Sequence, residues 1–429
     1  VNGLSIEYSI FIVTVLLFIS IEILQFSFTL RLCNSEYAAA LSIPVVFLSG
    51  GFGFLHFLNS HDRHNPSVDY IFMLSNNKYN SWGHPLLHCI LTSRCVQLTM
   101  ALSILSFILF ECKSDVFAIF LMFSVLIIRP QTGFALFLCS ILFKFKLTRI
   151  VVYAILTVIV YVLLPIFGVN PKMETAIYWN DMYRNTLFPF ISFPLSVLGI
   201  LFVTSLLSFF EFKSELISAL FTFYVLSFVR LQLNIRFNFF SLLSTAVPVF
   251  IAISFAFISR IAQRIKNAEI QGSLFAFMFF GMVFMCLSSI TGIYAKFDQK
   301  FVTWDNDDKE IANWIIQNTT ITDVFCGSVL EGWNPAIVLA GRQLYFGTIH
   351  WMQSAYFELG DKESNYNYFE KEAVPIRGVD YYIYPNNGRW AKKVTQLIGS
   401  MYLPVHQNEK YIILKSAKQF NDEIQVTES

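Results

Sequence analysis

Three arginines are the residues of this chain best placed to do chemistry. Arg129 stands in LIIRPQTGF, between two uncharged apolar stretches, and Arg230 and Arg236 stand in RLQLNIRFN, between two more. A guanidinium held beside hydrocarbon is costly, so an ionisable residue in such a place defaults to function. It is planar, always charged and forked, and the partner that matches this shape is a phosphate. The competing roles are interface anchoring and pairing with a nearby acid such as Asp181. Three carboxylates join the arginines as candidate general bases: Asp62 and Asp69 in the polar stretch 59–95, and Asp181 in 168–186. Ordinary solvated loop acids are the commoner kind. His61 and His64 flank Asp62 and Arg63. His84 and His88 stand four apart, but Pro85 lies between them and no HExxH glutamate accompanies them. They read as interfacial polar residues, and neither a metal nor a cofactor is expected.

The elements that must position these residues are apolar helices. The chain of 429 residues is 55% hydrophobic, 17% aromatic and only 14% charged, against roughly 25% charged residues in soluble domains. Uncharged stretches such as 239–258 and 273–295 reach the length of about 20 residues that crosses a ~30 Å hydrocarbon core. An integral membrane protein is expected, with the lipid bilayer as its first partner. A formal net charge of +1 and the lack of basic runs exclude a nucleic-acid binder. The seven cysteines show no CxxC or zinc spacing and read as small hydrophobes, with Cys89 and Cys95 able to pair in an oxidising compartment. Glu22, deep in the first apolar segment, reads as a structural acid. The chain begins with Val and enters an apolar stretch at once, so the true N-terminus is expected upstream.

Apolar segments lie near 6–30, 37–58, 96–111, 116–143, 148–167, 187–210, 215–229, 239–259 and 273–295. The fourth is interrupted by Arg129, Pro130 and Gln131, which predicts either one broken helix or two short helices meeting in a hairpin whose tip is 129–132. The hairpin is preferred. It gathers RLCNSE (31–36), KFKLTR (144–149), EFKSE (211–215) and RIAQRIK (260–266) on one face, cytoplasmic by the positive-inside rule. The opposite face then collects the 59–95 loop, the Arg129 tip, 170–186, 230–238 and the tail. A short turn is expected at 267–272. The fold class is therefore an all-α polytopic membrane bundle of 9–10 helices, residues 1–295, followed by a small soluble α/β domain, residues 296–429, on the extracytoplasmic side. No repeat of transporter type is visible.

In the tail, DNDDKEIANWIIQN (305–318) predicts a helix with Ile311, Trp314 and Ile315 on one face. DVFCGSV, AIVLAG, VDYYIYP and KYIILKS read as strands, and VTQLIGSMY (394–402) as a second helix. Asn318-Thr319-Thr320 is a glycosylation sequon.

The order of these pieces resembles the GT-C class of polytopic glycosyltransferases, in particular its protein-mannosyltransferase-like group. The resemblance runs through FLSGGFGFLHFL (47–58), NKYNSWGHPLLHCILTSRCVQ (77–97), LIIRPQTGF (126–134), YWNDMYRNTLFPFI (178–191), RLQLNIRFNFF (230–240) and the tail motifs WDNDDKEIANWIIQNT, NPAIVLAGR and GVDYYIY. It implies transfer of a sugar, with mannose the first candidate, from a polyprenyl-phosphate donor to an extracytoplasmic acceptor in an endoplasmic-reticulum or equivalent membrane. Arg129, Arg230 and Arg236 would bind the donor phosphate. Asp62, Asp69 or Asp181 would serve as base, although such enzymes carry their acidic motif in a first extracytoplasmic loop that this chain does not match. Trp82, Tyr178, Trp179, Tyr183, His350 and Trp351 offer flat faces to a sugar, or form the aromatic belt at the membrane interface. The rival readings are a catalytically silent scaffold or partner subunit and, further off, a lipid or solute transporter. The partner subunit itself is left unknown.

Overall fold

A computed structural model describes residues 6–48, 68–69, 82–83, 94–143, 147–163, 178–179, 198–230, 235–298, 304–327, 334–346, 360–372, 374–386, 392, 394, 397–398 and 402–416. The described residues form two compact units, one of residues 1–162 and 174–300 and one of 163–173 and 301–429.

The first unit is helical: α1 (Ile6–Cys33), α2 (Glu36–Leu48), α3 (Arg94–Glu111), α4 (Asp115–Ile128), α5 (Pro130–Leu142), α6 (Leu147–Leu163), α7 (Ile200–Leu207), α8 (Lys213–Phe228), α9 (Ile235–Arg264) and α10 (Ala268–Asp298). Two-residue antiparallel pairs join β1 (Val68–Asp69) to β2 (Trp82–Gly83) and β3 (Tyr178–Trp179) to β4 (Val229–Arg230). Among the described residues, three stretches, Phe11–Cys33, Arg94–Glu111 and Ser244–Arg264, are long and apolar enough to cross a membrane. The outer faces agree. Val151, Ile155, Val158 and Val162 repeat at helical spacing along α6 and are all exposed, as are Val116, Phe117 and Phe120 on α4. Water does not tolerate apolar stripes of this extent, whereas lipid does. The bundle is that of a polytopic membrane protein.

One end of the bundle is tied by charge. Arg260 donates from Nε to the Leu32 carbonyl at 3.0 Å, and Gln263 donates to the Cys33 carbonyl at 3.4 Å. Arg264 pairs with Glu211 at 2.6 Å, and the Arg260 guanidinium lies over the Phe212 ring at 4.5 Å. Arg149, only 4% exposed, bonds Asp115 at 3.0 Å, the Phe143 carbonyl at 2.8 Å and the face of Phe110 at 4.1 Å. Aromatic contacts, Phe28 stacked on Phe107 and Phe107 tilted against Phe143, join the two clusters at one level. The ends of α1, α3, α5 and α9 and the starts of α4, α6 and α8 therefore meet there, which gathers the segments 31–36, 211–215 and 260–266 with the residues flanking 144–146. Helix starts differ from the sequence reading. The turn after α9 is residues 265–267 rather than 267–272, because the Asn267 side chain accepts the Glu269 amide at 2.9 Å and starts α10 at once. Ser214 with Glu215, and Arg149, likewise fall inside helices.

The second unit is a three-layer α/β/α domain. Its sheet has the order β6-β5-β7-β9-β8, from β5 (Val324–Gly327), β6 (Gln343–Leu344), β7 (Tyr381–Pro385), β8 (Tyr402–Gln407) and β9 (Tyr411–Ser416). β6, β5 and β7 are parallel, and β9 is antiparallel to both β7 and β8. Residue parity divides the core. Phe325, Tyr381, Ile383 and Ile413 face α11 (Asn306–Asn318) and α12 (Pro335–Val338). Cys326, Tyr382, Tyr384, Ile412 and Leu414 face α13 (Gly360–Glu372) and the helical residues Val394 and Leu397. AIVLAG, expected as a strand, is instead the turn of helix α12. Asn334 accepts the Ala336 amide at 2.9 Å and Pro335 fills the first helical position, a start signal that outweighs the β-branched run. Tyr402, expected at the end of a helix, opens β8.

The tail motifs build this scaffold. Asp305 and Asp308 form a reciprocal capping box at the start of α11. Lys410 bonds Asp308 at 2.7 Å and Asp305 at 3.2 Å. In LAGR, Gly341 takes φ +66°, a left-handed turn, and the Arg342 guanidinium then bonds Thr319 Oγ1 at 2.8 Å and the Thr319 and Ile316 carbonyls at 2.9 and 3.3 Å, closing the carboxyl end of α11. Asp380 of VDYYIY accepts the Val324 amide at 2.8 Å and so joins β5 to the approach of β7.

Candidate functional site

A single extended residue separates α4 from α5. Arg129 has φ −153° and ψ 92°, and Pro130 begins the next helix. The proline dictates both facts, since its ring pushes the preceding residue out of the helical region and its fixed φ suits the first position of a new helix. The turn is thus tighter than the expected tip of 129–132. It is a true hairpin: Arg149 touches both Asp115, at the start of α4, and the Phe143 carbonyl, after the end of α5, so the two ends remote from Arg129 lie together. Gly133 makes the closeness possible. A Cβ there would stand 2.5 Å from the Leu126 Cα. The Gly133 carbonyl accepts the Tyr153 hydroxyl at 2.8 Å, and Tyr153 stacks on Phe137 at 4.4 Å, which fixes the hairpin against α6.

The hairpin tip shares its end of the bundle with the other two arginines. Cys139 of α5 accepts from Ser218 of α8, so the helices are neighbours, and they run antiparallel because α5 ends and α8 starts at the charged end. At about 1.5 Å per residue, both α5 traced back to its start and α8 traced to its finish rise to similar heights above that contact. Arg230 follows α8 directly, in β4, where it pairs with Tyr178; Trp179 pairs with Val229. Arg236 lies in the first turn of α9, which runs from this end toward the charged end. The arginine-bearing segments and the YW strand are therefore brought to one end by backbone connection. Arg129 is half-buried, and Thr132, one turn into α5, is fully buried. Guanidiniums carried by segments at one end of a bundle have the chemistry to hold a phosphate by charge-assisted bonds and to stabilise charge on a leaving oxygen.

Other expected site residues stand as follows. Asp69 lies in β1, paired with Trp82 of β2. Asp62, Asp181, Tyr183, His61, His64, His84, His88, His350, Trp351 and Cys89 fall outside the described residues, and with them the proposed Cys89–Cys95 pairing. Glu22 is half-buried on α1. A polar chain in the bundle escaped the sequence reading. Gln25 donates to the Pro248 carbonyl at 3.3 Å and Thr29 to Ser42 at 3.0 Å, and all three side chains are fully buried, across α1, α2 and α9. An open groove of about 560 Å³ along α2 and α10 is lined by Tyr37, Gly272, Phe275, Ala276, Phe279 and Phe280, and without a charged group it suits acyl chains rather than chemistry.

No family model and no curated protein matches the chain. Among solved structures, the chain is similar to ArnT from Cupriavidus metallidurans bound to undecaprenyl phosphate, at 10% sequence identity, over 96% of this chain and 84% of that one, with a TM-score of 0.49. A likeness this distant carries nothing about activity.

Proposed function

We propose that the chain is a GT-C-like membrane glycosyltransferase that moves a sugar from a polyprenyl-phosphate donor to an extracytoplasmic acceptor, with mannose the first sugar to test. The observation that carries this reading is the Arg129-Pro130 break, a guanidinium at the tip of a half-length helical hairpin, at the bundle end where Arg230 and Arg236 also emerge. Arg129 grips the donor phosphate and steadies the charge left on it as the glycosidic bond breaks. A carboxylate beside the acceptor takes the hydroxyl proton, and Asp69 and Asp181 are the first to examine, followed by Asp62. In this reading the tail and the 59–95 loop face the lumen of the endoplasmic reticulum or an equivalent compartment.

The test is a titration of labelled polyprenyl-phosphate mannose into purified, correctly inserted protein. Arg129→Ala should weaken binding by about 2–5 kcal/mol, the cost of removing a desolvated partner of a charge. Arg129→Lys should recover only part, because an ammonium lacks the bidentate fork. Lys146→Ala, on the opposite face in this reading, should change little. Equal affinity of wild type and Arg129→Ala removes Arg129 from the site, and donor binding without sugar transfer to any acceptor favours the silent scaffold.

A further inference from the structure

The glycosylation sequon of the tail has no part in sugar transfer by this chain, and the fold gives it a definite setting. The chain holds one other Asn-Xaa-Ser/Thr triplet, Asn65-Pro66-Ser67, and the central proline bars it, so Asn318-Thr319-Thr320 is the sole usable sequon. Asn318 is the last residue of α11 and is exposed. Its side-chain amide carries two hydrogens. One is donated to the Trp314 carbonyl at 2.8 Å, a turn back along the helix, and the other has no partner among the described residues. The backbone leaves the helix at the next residue. Thr319 is extended, with φ −136° and ψ 158°, and Arg342 bonds its hydroxyl at 2.8 Å and its carbonyl at 2.9 Å. Thr320 is exposed, and its hydroxyl donates to Asp323 at 2.8 Å across a surface turn. The work of the triplet is thus divided. Half-buried Thr319 makes the attachment to the fold, while the acceptor amide of Asn318 and the hydroxyl of Thr320 both stand at the surface.

We propose that Asn318 carries an N-linked glycan. The reaction joins Asn318 Nδ2 to C1 of the first sugar of a lipid-linked oligosaccharide, as the bond from C1 to the diphosphate oxygen breaks. The amide gives one proton to a base, and the lipid diphosphate leaves with the electron pair. The oligosaccharide donor and the enzyme that transfers it belong to the compartment the tail enters. A glycosylated amide keeps one hydrogen, which is the number the bond to Trp314 needs, so the folded end of α11 accepts the sugar without losing that contact. A sugar on an exposed amide also displaces no core side chain, since Ile311, Ala312 and Ile315 carry the packing of the helix. The proposal rests on the transferase reading for one point only, the extracytoplasmic side of the tail.

The full chain is translated in the presence of sealed microsomes, and its gel mobility is compared before and after treatment with a peptide N-glycosidase. The expected result is a single mobility step that the glycosidase removes. The step should vanish in Asn318→Gln and in Thr320→Ala and return in Thr320→Ser, which restores the hydroxyl. Because the sugar is added before the tail has folded, the readout does not depend on the stability of a variant. A single cysteine at Asn386 reports the side of the tail in the same vesicles. A tail labelled from the lumenal side that carries no glycan overturns the proposal and leaves the topology standing; a tail labelled from the cytosolic side overturns both. A step that survives Asn318→Gln puts the sugar elsewhere and also overturns it. A glycan at Asn318 on a protein that binds no polyprenyl-phosphate mannose sinks the transferase reading and leaves this one standing.

Discussion

Two arginines that no catalytic reading singled out carry much of the structure, and each makes a separate prediction. Arg149 is almost wholly buried against Asp115. Asp115→Ala leaves a desolvated guanidinium without its carboxylate and should cost about 3–5 kcal/mol, whereas replacing the pair by Leu and Met should cost far less. Thermal melts in detergent distinguish the two, and equal losses would show that the charge pair itself is dispensable. Arg342 gathers the carboxyl end of α11, so Arg342→Ala should lower tail-domain stability by about 2–3 kcal/mol. The capping box adds a pH dependence. The Asp308 amide, with Lys410 alongside, holds the Asp305 carboxyl below its usual pKa. Its contribution is present above about pH 4 and is lost as pH falls through the lower folded value. Burial alone would lower the Lys410 pKa, but hydrogen bonds to Asp308 and Asp305 outweigh it and the direction is up. That contribution is complete below about pH 10.4 and is lost as pH rises through the higher folded value. Melts of the tail domain should therefore decline at both extremes, and Asp305→Asn should flatten the acid limb. A wild-type profile level from pH 3 to pH 7 contradicts this assignment.

At the scale of elements, the α4–α5 hairpin depends on one missing side chain. Gly133→Ala must push α5 away from the Leu126 backbone and should destabilise the bundle by about 1–3 kcal/mol or more, as overpacking does. Gly272→Ala is the control. A Cβ there meets nothing within 4 Å, and the exchange should be neutral or stabilising by about 0.5–1 kcal/mol, the usual helix preference. Comparable losses from both would remove the steric explanation. The hairpin was legible in the sequence because Arg-Pro inside apolar residues has few physical outcomes. Ile311 and Ile315 on the buried face of α11 were legible from helical spacing. AIVLAG was not, because four residues of helix are decided by the Asn-Pro start and not by the apolar run that follows. The group of Tyr366, Glu370, Tyr384 and Gly327, in which both tyrosines donate to Glu370 Oε1 at 3.0 Å, was illegible for another reason: it draws on α13, β7 and β5, which only the packing of the helix on the paired strands brings together.

At the scale of the whole molecule, the transferase reading places the tail and the 59–95 loop on one side of the membrane. Single cysteines at Asn77 and Asn386 should then be labelled from the same side of sealed vesicles; labelling from opposite sides overturns that topology. The hairpin adds a consequence of depth. With 14 and 13 residues, its arms are only about 20 Å long, while the hydrocarbon core is ~30 Å thick. If the level of Asp115 and Phe143 marks the near interface, Arg129 stops about 10 Å short of the far one, and an anion that meets it is drawn beneath the plane of its neighbouring headgroups. Mobile ions reach that depth poorly, and screening over a Debye length of about 10 Å belongs to exposed charges. Donor binding through Arg129 should consequently hold nearly constant between 0.05 and 0.5 M salt, concentrations at which an exposed arginine-phosphate pair would lose most of its attraction.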